Sequence, residues 1–168
     1  KRLKNKLEDL YGEKITAYYF NSTPNPPKDA QNSFHSWLKN GSDGPGIRVQ
    51  LYQLKGMNVK CNRCDNEFSR TVQKGVDVGI VTAALKFKDS YDTLILSSGD
   101  GDFEDTVHYL KEDLNKRLVL LGFHGSLSVD LHPWADDILY IDSFFDEVKD
   151  TRFTEPFEHA DEYIDSEL

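Results

Sequence analysis

The sequence has only two cysteines and no apolar run of 18 residues, and each shortage excludes a class of protein. Two cysteines cannot form the framework of a disulfide-rich secreted domain. Apolar runs shorter than 18 residues are too short for a helix that spans a bilayer. The chain also shows no signal-peptide pattern. We therefore expect a reducing, cytoplasmic setting and no membrane partner.

Motifs for nucleotide and calcium binding are missing as well. Neither a dinucleotide fingerprint nor a phosphate-binding P-loop occurs in the sequence. A calcium loop counted from Asp100 would have Asp105 at the position that needs Gly and Lys111 at the position that needs Glu. These absences argue against a nucleotide-dependent switch and against an EF-hand site.

Positive charge is scarce over the whole chain but not over its first part. The 168 residues carry a formal net charge of −9. Residues 1–75 hold 13 Lys and Arg against 7 Asp and Glu, residues 76–150 hold 6 against 16, and residues 151–168 hold 1 against 6. This division suits a protein that meets a polyanion on one side and a divalent cation on the other, although solvated surface charge would give the same totals.

Hydrophobic residues make up 38% of the chain, which is enough to build the core of one domain. We place this domain at residues 1–150 and treat residues 151–168 as an acidic tail. Apolar runs of strand length alternate with helical periodicity, which predicts a parallel sheet with helices on both faces. The runs are 15–20, 47–54, 93–97, 118–121 and 138–141. Residues 55–73 hold both cysteines and are predicted to be an irregular insertion.

Two carboxylates follow the most hydrophobic of these runs, in the segment SSGDGDF at 97–103. Glycines on either side of Asp100 would let the backbone turn sharply, so that Asp100 and Asp102 project from the end of the strand. Carboxylates held this close repel each other unless a cation lies between them, which suits Mg²⁺ or Mn²⁺. Helix capping by Asp102 and a dipole contact by Asp100 would explain the pattern equally well.

A third carboxylate, Asp77, stands at the start of the preceding helix. Ligands of parallel sheets bind outside the carboxyl ends of the strands, so Asp77 could converge there with Asp100 and Asp102. A first-turn aspartate can also serve only as a partner of the helix dipole.

The two cysteines, Cys61 and Cys64, have the spacing of half a zinc knuckle, whereas a structural zinc site needs four ligands. Five histidines are the other nitrogen donors, and none has a knuckle spacing: His35, His108, His124, His132 and His159. A zinc ion shared across a dimer is one interpretation. Two free thiols in a loop, or a reversible disulfide, are the others.

Basic residues give the insertion and its border a positive character that would suit the phosphates of single-stranded RNA. Tyr52 and Phe68 are available there for base stacking, although a solvated loop would look much the same. The basic residues are Lys55, Lys60, Arg63, Arg70 and Lys74.

Two motifs then occur in a specific order, KGVDV at 74–78 and YDTLILSSGDGDF at 91–103. In this order they resemble the NYN domain family of the PIN-like nuclease superfamily. The two motifs together are more specific for this family than either motif alone. Shorter likenesses extend the resemblance to about residues 1–145; they are AYYF at 17–20, KRLV at 116–119, SLS at 126–128 and AD at 135–136.

The resemblance implies a three-layer α/β/α sandwich with a mainly parallel central sheet and a metal-dependent nuclease site. Family members gather acidic side chains around Mg²⁺ or Mn²⁺, which activates water for attack on a phosphodiester. From this resemblance we expect an endoribonuclease that acts on single-stranded or structured RNA. Carried over by position, the catalytic and metal-binding residues are Asp77, Asp100 and Asp102. By the same comparison, Lys74, Ser98 and Ser126 would contact the RNA, and Asp136 would be structural.

Two departures from the family pattern limit this expectation. The family opens with a central strand that ends in an Ile-Asp-Gly-x-Asn motif, and we expect this first strand to be missing from the given sequence. Ala83 stands where many relatives carry another Asp. The alternative is therefore a catalytically weakened NYN module that binds RNA or a protein partner, with residues 151–168 available for recruiting the partner. A homodimer is compatible with both functions, the ribonuclease and the binding module.

Overall fold

A computed structural model describes residues 1–61 and 63–150 of the chain. The expected acidic tail at 151–168, and its expected partner, lie outside the described residues. The helices are α1 (Arg2–Tyr11), α2 (Asp29–Lys39), α3 (Val76–Lys86), α4 (Glu104–Glu112) and α5 (Phe145–Val148). The strands are β1 (Tyr18–Thr23), β2 (Arg48–Gln53), β3 (Lys55–Lys60), β4 (Glu67–Val72), β5 (Thr93–Leu96), β6 (Arg117–Gly122) and β7 (Asp137–Tyr140). None of the helices in this described part is long and apolar enough to cross a membrane.

The parallel strands form two hydrogen-bonded groups. In one group β1 pairs with β2, starting at Tyr18 opposite Arg48, and in the other β6 lies between β5 and β7. Within residues 1–61 and 63–150, no strand joins β1 to β5. The parallel strands of the described residues therefore form two separate groups, and the expectation that the family's first strand is missing stays a prediction.

Helices cover both faces of these strands. Successive residues of a strand point to opposite faces, and β1 shows this clearly: Tyr18 stacks on Phe87 just after α3, at 5.6 Å between ring centroids, whereas Tyr19 meets Phe34 of α2 edge-on at 5.9 Å. Helices α3 and α4 share the first face, and α1, α2 and α5 share the second. The structure confirms the predicted α/β/α architecture.

The hydrophobic core lies between β6 and the two helices α3 and α4. Leu120 of β6, Val107 of α4 and Leu131 are almost fully buried, and Ile80 and Val81 of α3 pack against the same cluster. Strand β6 is buried along most of its length, as its apolar sequence predicts. Strand β5 was expected to be equally covered, but only its Leu96 is buried. The reason is that β5 pairs with β6 along one edge only in the described part of the chain.

The prediction of an irregular insertion at 55–73 is wrong. Strands β3 and β4 form an antiparallel hairpin in which Lys55 pairs with Val72 and Lys60 with Glu67. All but two of its twelve strand residues are exposed, the exceptions being Val59 and Val72. Because neither face of this hairpin is buried, its sequence lacks the apolar alternation that would have marked the strands.

Candidate functional site

The segment 97–103, which we call the acidic loop, begins where β5 ends and leads into α4. The Asp100 carboxylate accepts a hydrogen bond from the backbone N–H of Asp102, at 3.0 Å from Oδ1. Asp100 therefore caps the short 3-10 turn Gly101–Phe103, a role that the sequence had suggested for Asp102. Both carboxylates are exposed. Within the described residues, the Asp102 carboxylate and the Oδ2 atom of Asp100 make no hydrogen bond or ion pair, so they are available to a ligand.

The glycines that flank Asp100 are needed for close packing, not for an unusual backbone turn. Neither Gly99 nor Gly101 has a positive φ. A Cβ at Gly99 would lie 1.7 Å from the carbonyl oxygen of Ser126, and a Cβ at Gly101 would lie 3.0 Å from both Ser128 Oγ and Asp130 Oδ2. The segment 126–130 thus forms a second wall against the acidic loop, and the backbone N–H of Ser128 bonds the Gly99 carbonyl at 3.1 Å.

Of the expected RNA contact set, one serine lies in this loop and a second one borders it. Ser98 is half-buried, and its Oγ accepts a long hydrogen bond of 3.4 Å from the backbone N–H of Asp100. The Ser126 hydroxyl donates to the Phe123 carbonyl at 2.8 Å and accepts from the Phe123 N–H at 2.9 Å. The structure therefore places Ser126 at the rim of the loop, with its hydroxyl engaged in its own turn.

Asp77 lies on the first turn of α3. That helix runs opposite to β5, which follows it, so its first turn stands at the edge of the sheet where β5 ends. Gly75 begins the helix with φ +88°, and a Cβ at Gly79 would lie 1.9 Å from the Tyr52 hydroxyl. Tyr52, which we had considered for base stacking, instead packs against α3 and fixes the position of the helix. Asp77 and the neighbouring Lys74 are both exposed.

The three predicted carboxylates lie on two elements, and their convergence on one metal ion stays a prediction. Asp100 and Asp102 lie together in the acidic loop, and Asp77 lies on the first turn of α3. Within the described residues, no group of three or more His, Cys, Asp or Glu side chains is placed to hold a metal ion. Mg²⁺ commonly binds one or two carboxylates and completes its shell with water and substrate phosphates. The exposed oxygens of Asp100 and Asp102 fit that mode of binding.

A fourth carboxylate at the loop, Asp130, was missed in the sequence. Its Oδ2 accepts a hydrogen bond from Ser128 Oγ at 2.9 Å and faces the Cα of Gly101. Only the packing of segment 126–130 on the acidic loop brings it there, and no local motif marks the residue.

A histidine–carboxylate pair at the ends of β6 and β7 was missed as well. The Asp142 carboxylate accepts from the backbone N–H of His124 at 2.7 Å and lies 3.1 Å from its Nδ1, while the imidazole stacks on Tyr140 with ring centroids 3.8 Å apart. The hydrogen bond from the His124 backbone is the largest cause that holds the pKa of Asp142 below its ordinary value. The partners are 18 positions apart in the chain, which left no spacing signal in the sequence.

Cys61 and Cys64 lie in the turn that joins β3 to β4, and both are free thiols. Among the described residues, the structure brings no histidine or carboxylate to them that would complete a metal site. They belong to the exposed hairpin and not to the acidic loop.

Comparisons with known proteins agree with the fold. The chain is 24% identical over 132 residues to the low amplitude and bright protein LabA of Synechococcus elongatus, an alignment that covers 76% of this chain and 70% of LabA. It also matches the crystal structure of a protein of unknown function from Vibrio parahaemolyticus, with a TM-score of 0.60, 26% identity, and coverage of 83% of this chain and 78% of the other. The family model for the NYN domain matches residues 1–142. The chain therefore belongs to the NYN domain family, and this membership indicates a nuclease-like or RNA-related module.

Proposed function

We propose that this protein is a metal-dependent ribonuclease, with its site at the edge where β5 and the first turn of α3 meet. The observation that carries the proposal is the pair of exposed carboxylates, Asp100 and Asp102, in the loop that leaves β5, with Asp100 Oδ1 held by the Asp102 N–H and its Oδ2 open to a ligand. Membership of the NYN family supports a nuclease-like chemistry. Carboxylate oxygens are the ligands that Mg²⁺ and Mn²⁺ prefer.

The residues of the edge have distinct tasks in this proposal. Asp100 and Asp102 would hold the divalent cation, and Asp77 would bind it directly or through water. When bound, such a cation lowers the pKa of a water molecule and neutralises the charge that builds up on the phosphate. The capping bond between Asp100 Oδ1 and the Asp102 N–H keeps the loop in one conformation while Oδ2 stays open. Lys74, beside the start of α3, would contact the RNA backbone.

The hairpin supports RNA as the substrate. The hairpin follows the end of β2 and is followed directly by the start of α3, and we propose that its basic side chains lie near the acidic loop. Lys55, Arg70 and Lys74 are exposed there, and Phe68, about half exposed at 49%, offers a ring for base stacking. Phosphate contacts from such residues supply affinity without sequence preference.

The test is cleavage of single-stranded and structured RNA by the full chain with Mg²⁺, Mn²⁺ or EDTA. We expect cleavage with either cation and none with EDTA. Asp100→Asn keeps an oxygen for the capping bond but removes the charge, so we expect a loss of at least about a hundredfold in the cleavage rate. Asp105→Asn, an exposed change on α4, is the control and should keep the wild-type rate. An unaltered rate in Asp100→Asn would refute the site.

A second candidate is a binding module that has kept the fold and lost most of its catalysis. Ala83 favours it, because a half-buried alanine occupies the α3 position where many relatives carry a carboxylate. Under this alternative the wild-type chain would bind RNA in a gel-shift or fluorescence assay, and no cation would produce cleavage. The same pair of assays therefore separates the two functions.

A further inference from the structure

A turn at residues 123–126 follows β6 and touches the acidic loop. The N–H of Ser126 donates to the Phe123 carbonyl at 3.0 Å and closes the turn. The carbonyl oxygen of Ser126 fills the space that a Cβ at Gly99 would need, 1.7 Å from its position. Because Gly99 directly precedes Asp100, this turn lies beside the proposed metal site.

Side chains hold the backbone of this turn at two consecutive residues. The hydroxyl of Ser126 accepts from the N–H of Phe123 at 2.9 Å, and the Asp142 carboxylate accepts from the N–H of His124 at 2.7 Å. His124 is two residues from Ser126, so their Cα atoms are at most about 7 Å apart. These hydrogen bonds, together with the contact between Ser126 and the acidic loop, fix the place of His124 next to that loop.

The imidazole of His124 is held at its edge and on one of its faces. Its Nδ1 lies 3.1 Å from Asp142 Oδ2, and the ring stacks on Tyr140 with 3.8 Å between ring centroids and 14° between ring planes. Tyr140 itself packs against the hydrophobic core. The His124 side chain is nevertheless 64% exposed. The face of the imidazole that points away from Tyr140 is therefore open to solvent, and the proposed ribonuclease mechanism does not use it.

We propose that this open face of His124 is a stacking site for an unpaired nucleobase of the RNA. The inference rests on the proposed binding of RNA at the acidic loop, and it adds that the strand is unpaired beside that loop. Bases of single-stranded RNA stack on aromatic side chains, histidine among them, whereas the bases of a duplex are covered by their own neighbours. A ring that is already held in place loses little conformational entropy when a base binds, which favours affinity.

The charge around the turn favours a neutral base over a phosphate as the group that His124 contacts. The Asp142 carboxylate lies against the imidazole, and the Asp100 carboxylate follows the residue that the turn touches. Residues 118–148 include no Lys or Arg, so this segment offers a phosphate no cationic side chain. A base that stacks on the ring avoids this unfavourable charge, because stacking needs no cation.

The experiment measures the affinity of the full chain for RNA in EDTA, by fluorescence anisotropy. The probes are a short single-stranded RNA, its duplex form, and versions of the single strand that each lack one base. We expect one abasic position to weaken binding at least about fivefold, the low end for one stacked base. His124→Ala should lose the same factor with the intact strand and nothing more with the strand that is abasic at that position. With the duplex, His124→Ala should bind like the wild type.

Matched variants separate stacking from other roles of the histidine. His124→Phe keeps an aromatic ring and should keep most of the affinity, which a role in ionic contact or proton transfer would not allow. His108→Ala is the control, because His108 is another exposed histidine that lies against an aromatic ring, Trp134, at 4.4 Å between centroids. This variant should bind like the wild type. His124→Ala keeps the backbone N–H that Asp142 accepts, so its unfolding curve should match that of the wild type.

The same samples are then assayed for cleavage with Mg²⁺ or Mn²⁺, so that the two proposals can fail separately. Equal affinity of the wild type and His124→Ala for the single strand, or an equal loss in His124→Phe and His124→Ala, overturns the stacking site and leaves the ribonuclease intact if the RNA is cleaved. Binding that depends on the His124 ring, without cleavage in either cation, supports the stacking site and overturns the ribonuclease. Failure of the wild type to bind the single strand overturns the stacking site as well.

Discussion

Gly99 shows how a single missing side chain shapes the candidate site. The Ser126 carbonyl occupies the space that a Cβ at this position would need, at 1.7 Å, and the obstacle is backbone that cannot rotate away. We expect Gly99→Ala to lower the free energy of unfolding by about 1–3 kcal/mol, measured by urea denaturation. Gly41→Ala is the matched control, since a Cβ there would meet no atom within 4 Å. Equal stability of the two variants would contradict the close approach of segment 126–130.

Glu8 is a residue whose ionisation stabilises the fold over a defined pH range. Its carboxylate accepts a hydrogen bond from the Ile15 N–H at 3.0 Å and pairs with Lys14 at 3.0 Å. The hydrogen bond from Ile15 is the largest cause, and that from Lys14 the second, that lowers the pKa of Glu8 from 4.5 to about 2. A pKa lowered by folding gives stability that is complete above the unfolded pKa and is lost as the pH falls through the folded pKa.

We therefore expect wild-type stability to fall as the pH drops from about 4.5 to about 2, and Glu8→Gln to show a lower urea midpoint at pH 7 with a smaller fall over that range. Glu13→Gln serves as the control, because the structure describes no ion pair or hydrogen bond for this exposed carboxylate. Parallel pH curves for wild type and Glu8→Gln would contradict the assignment.

At the scale of single residues, the sequence was informative where the chemistry is local. The position of Asp100 and Asp102 at the end of β5 could be predicted because a strand end, two glycines and two carboxylates are contiguous. Asp130 was not, since only the contact of its turn with Gly101 brings it to the acidic loop. The reason for the glycines was also mistaken, because close approach of another segment is a tertiary property.

Asp136 joins three elements of the fold. Asp136 lies one residue before β7 begins. Its carboxylate pairs with Lys111 of α4 and accepts a hydrogen bond from the Leu118 N–H of β6 at 2.8 Å. The hydrogen bond from Lys111 is the largest cause that lowers the pKa of Asp136. We expect Asp136→Ala to destabilise the fold by about 1 kcal/mol in thermal or urea unfolding, because the Leu118 N–H loses its acceptor.

The control for Asp136→Ala is Glu112→Gln, an exposed change in the last turn of α4. We expect this variant to unfold like the wild type. If both variants unfolded at the wild-type midpoint, the three-way contact of Asp136 would not stabilise the protein. A stabilising contact at this position accords with the structural role that the sequence comparison implied.

Buried strands were easier to predict from the sequence than exposed ones. The apolar run at 118–121 is within β6 as found, because a strand covered on both faces has a distinctive sequence. The run at 15–20 was placed three residues early, since β1 begins at Tyr18, where its pairing with Arg48 of β2 starts. The hairpin escaped prediction because its strands are exposed. Burial patterns, and not strand formation itself, are what the sequence reports.

For the whole molecule, the uneven charge predicts a salt-dependent affinity for RNA. Each phosphate that a cationic side chain neutralises on a single strand contributes about −0.7 to the slope of log K against log salt. If the hairpin binds RNA as we propose, Arg70→Ala should make that slope shallower by about 0.7 in fluorescence-anisotropy titrations. Lys39→Ala, at the end of α2, should leave the slope unchanged. Identical slopes for the two variants would argue against contact between the hairpin and the phosphates.

Helix α3 contacts both groups of parallel strands. Gly79 meets Tyr52 of β2, whereas Ile80 and Val81 pack on the cluster that contains Leu96 of β5. The helix also carries Asp77 on its first turn, while Asp100 follows β5. A small rotation of one strand group against the other would therefore change the separation of these two carboxylates. If the proposed site binds a divalent cation, its affinity would depend on the angle between the two groups of parallel strands, and a partner that shifted this angle would then act as an allosteric effector without touching an acidic residue.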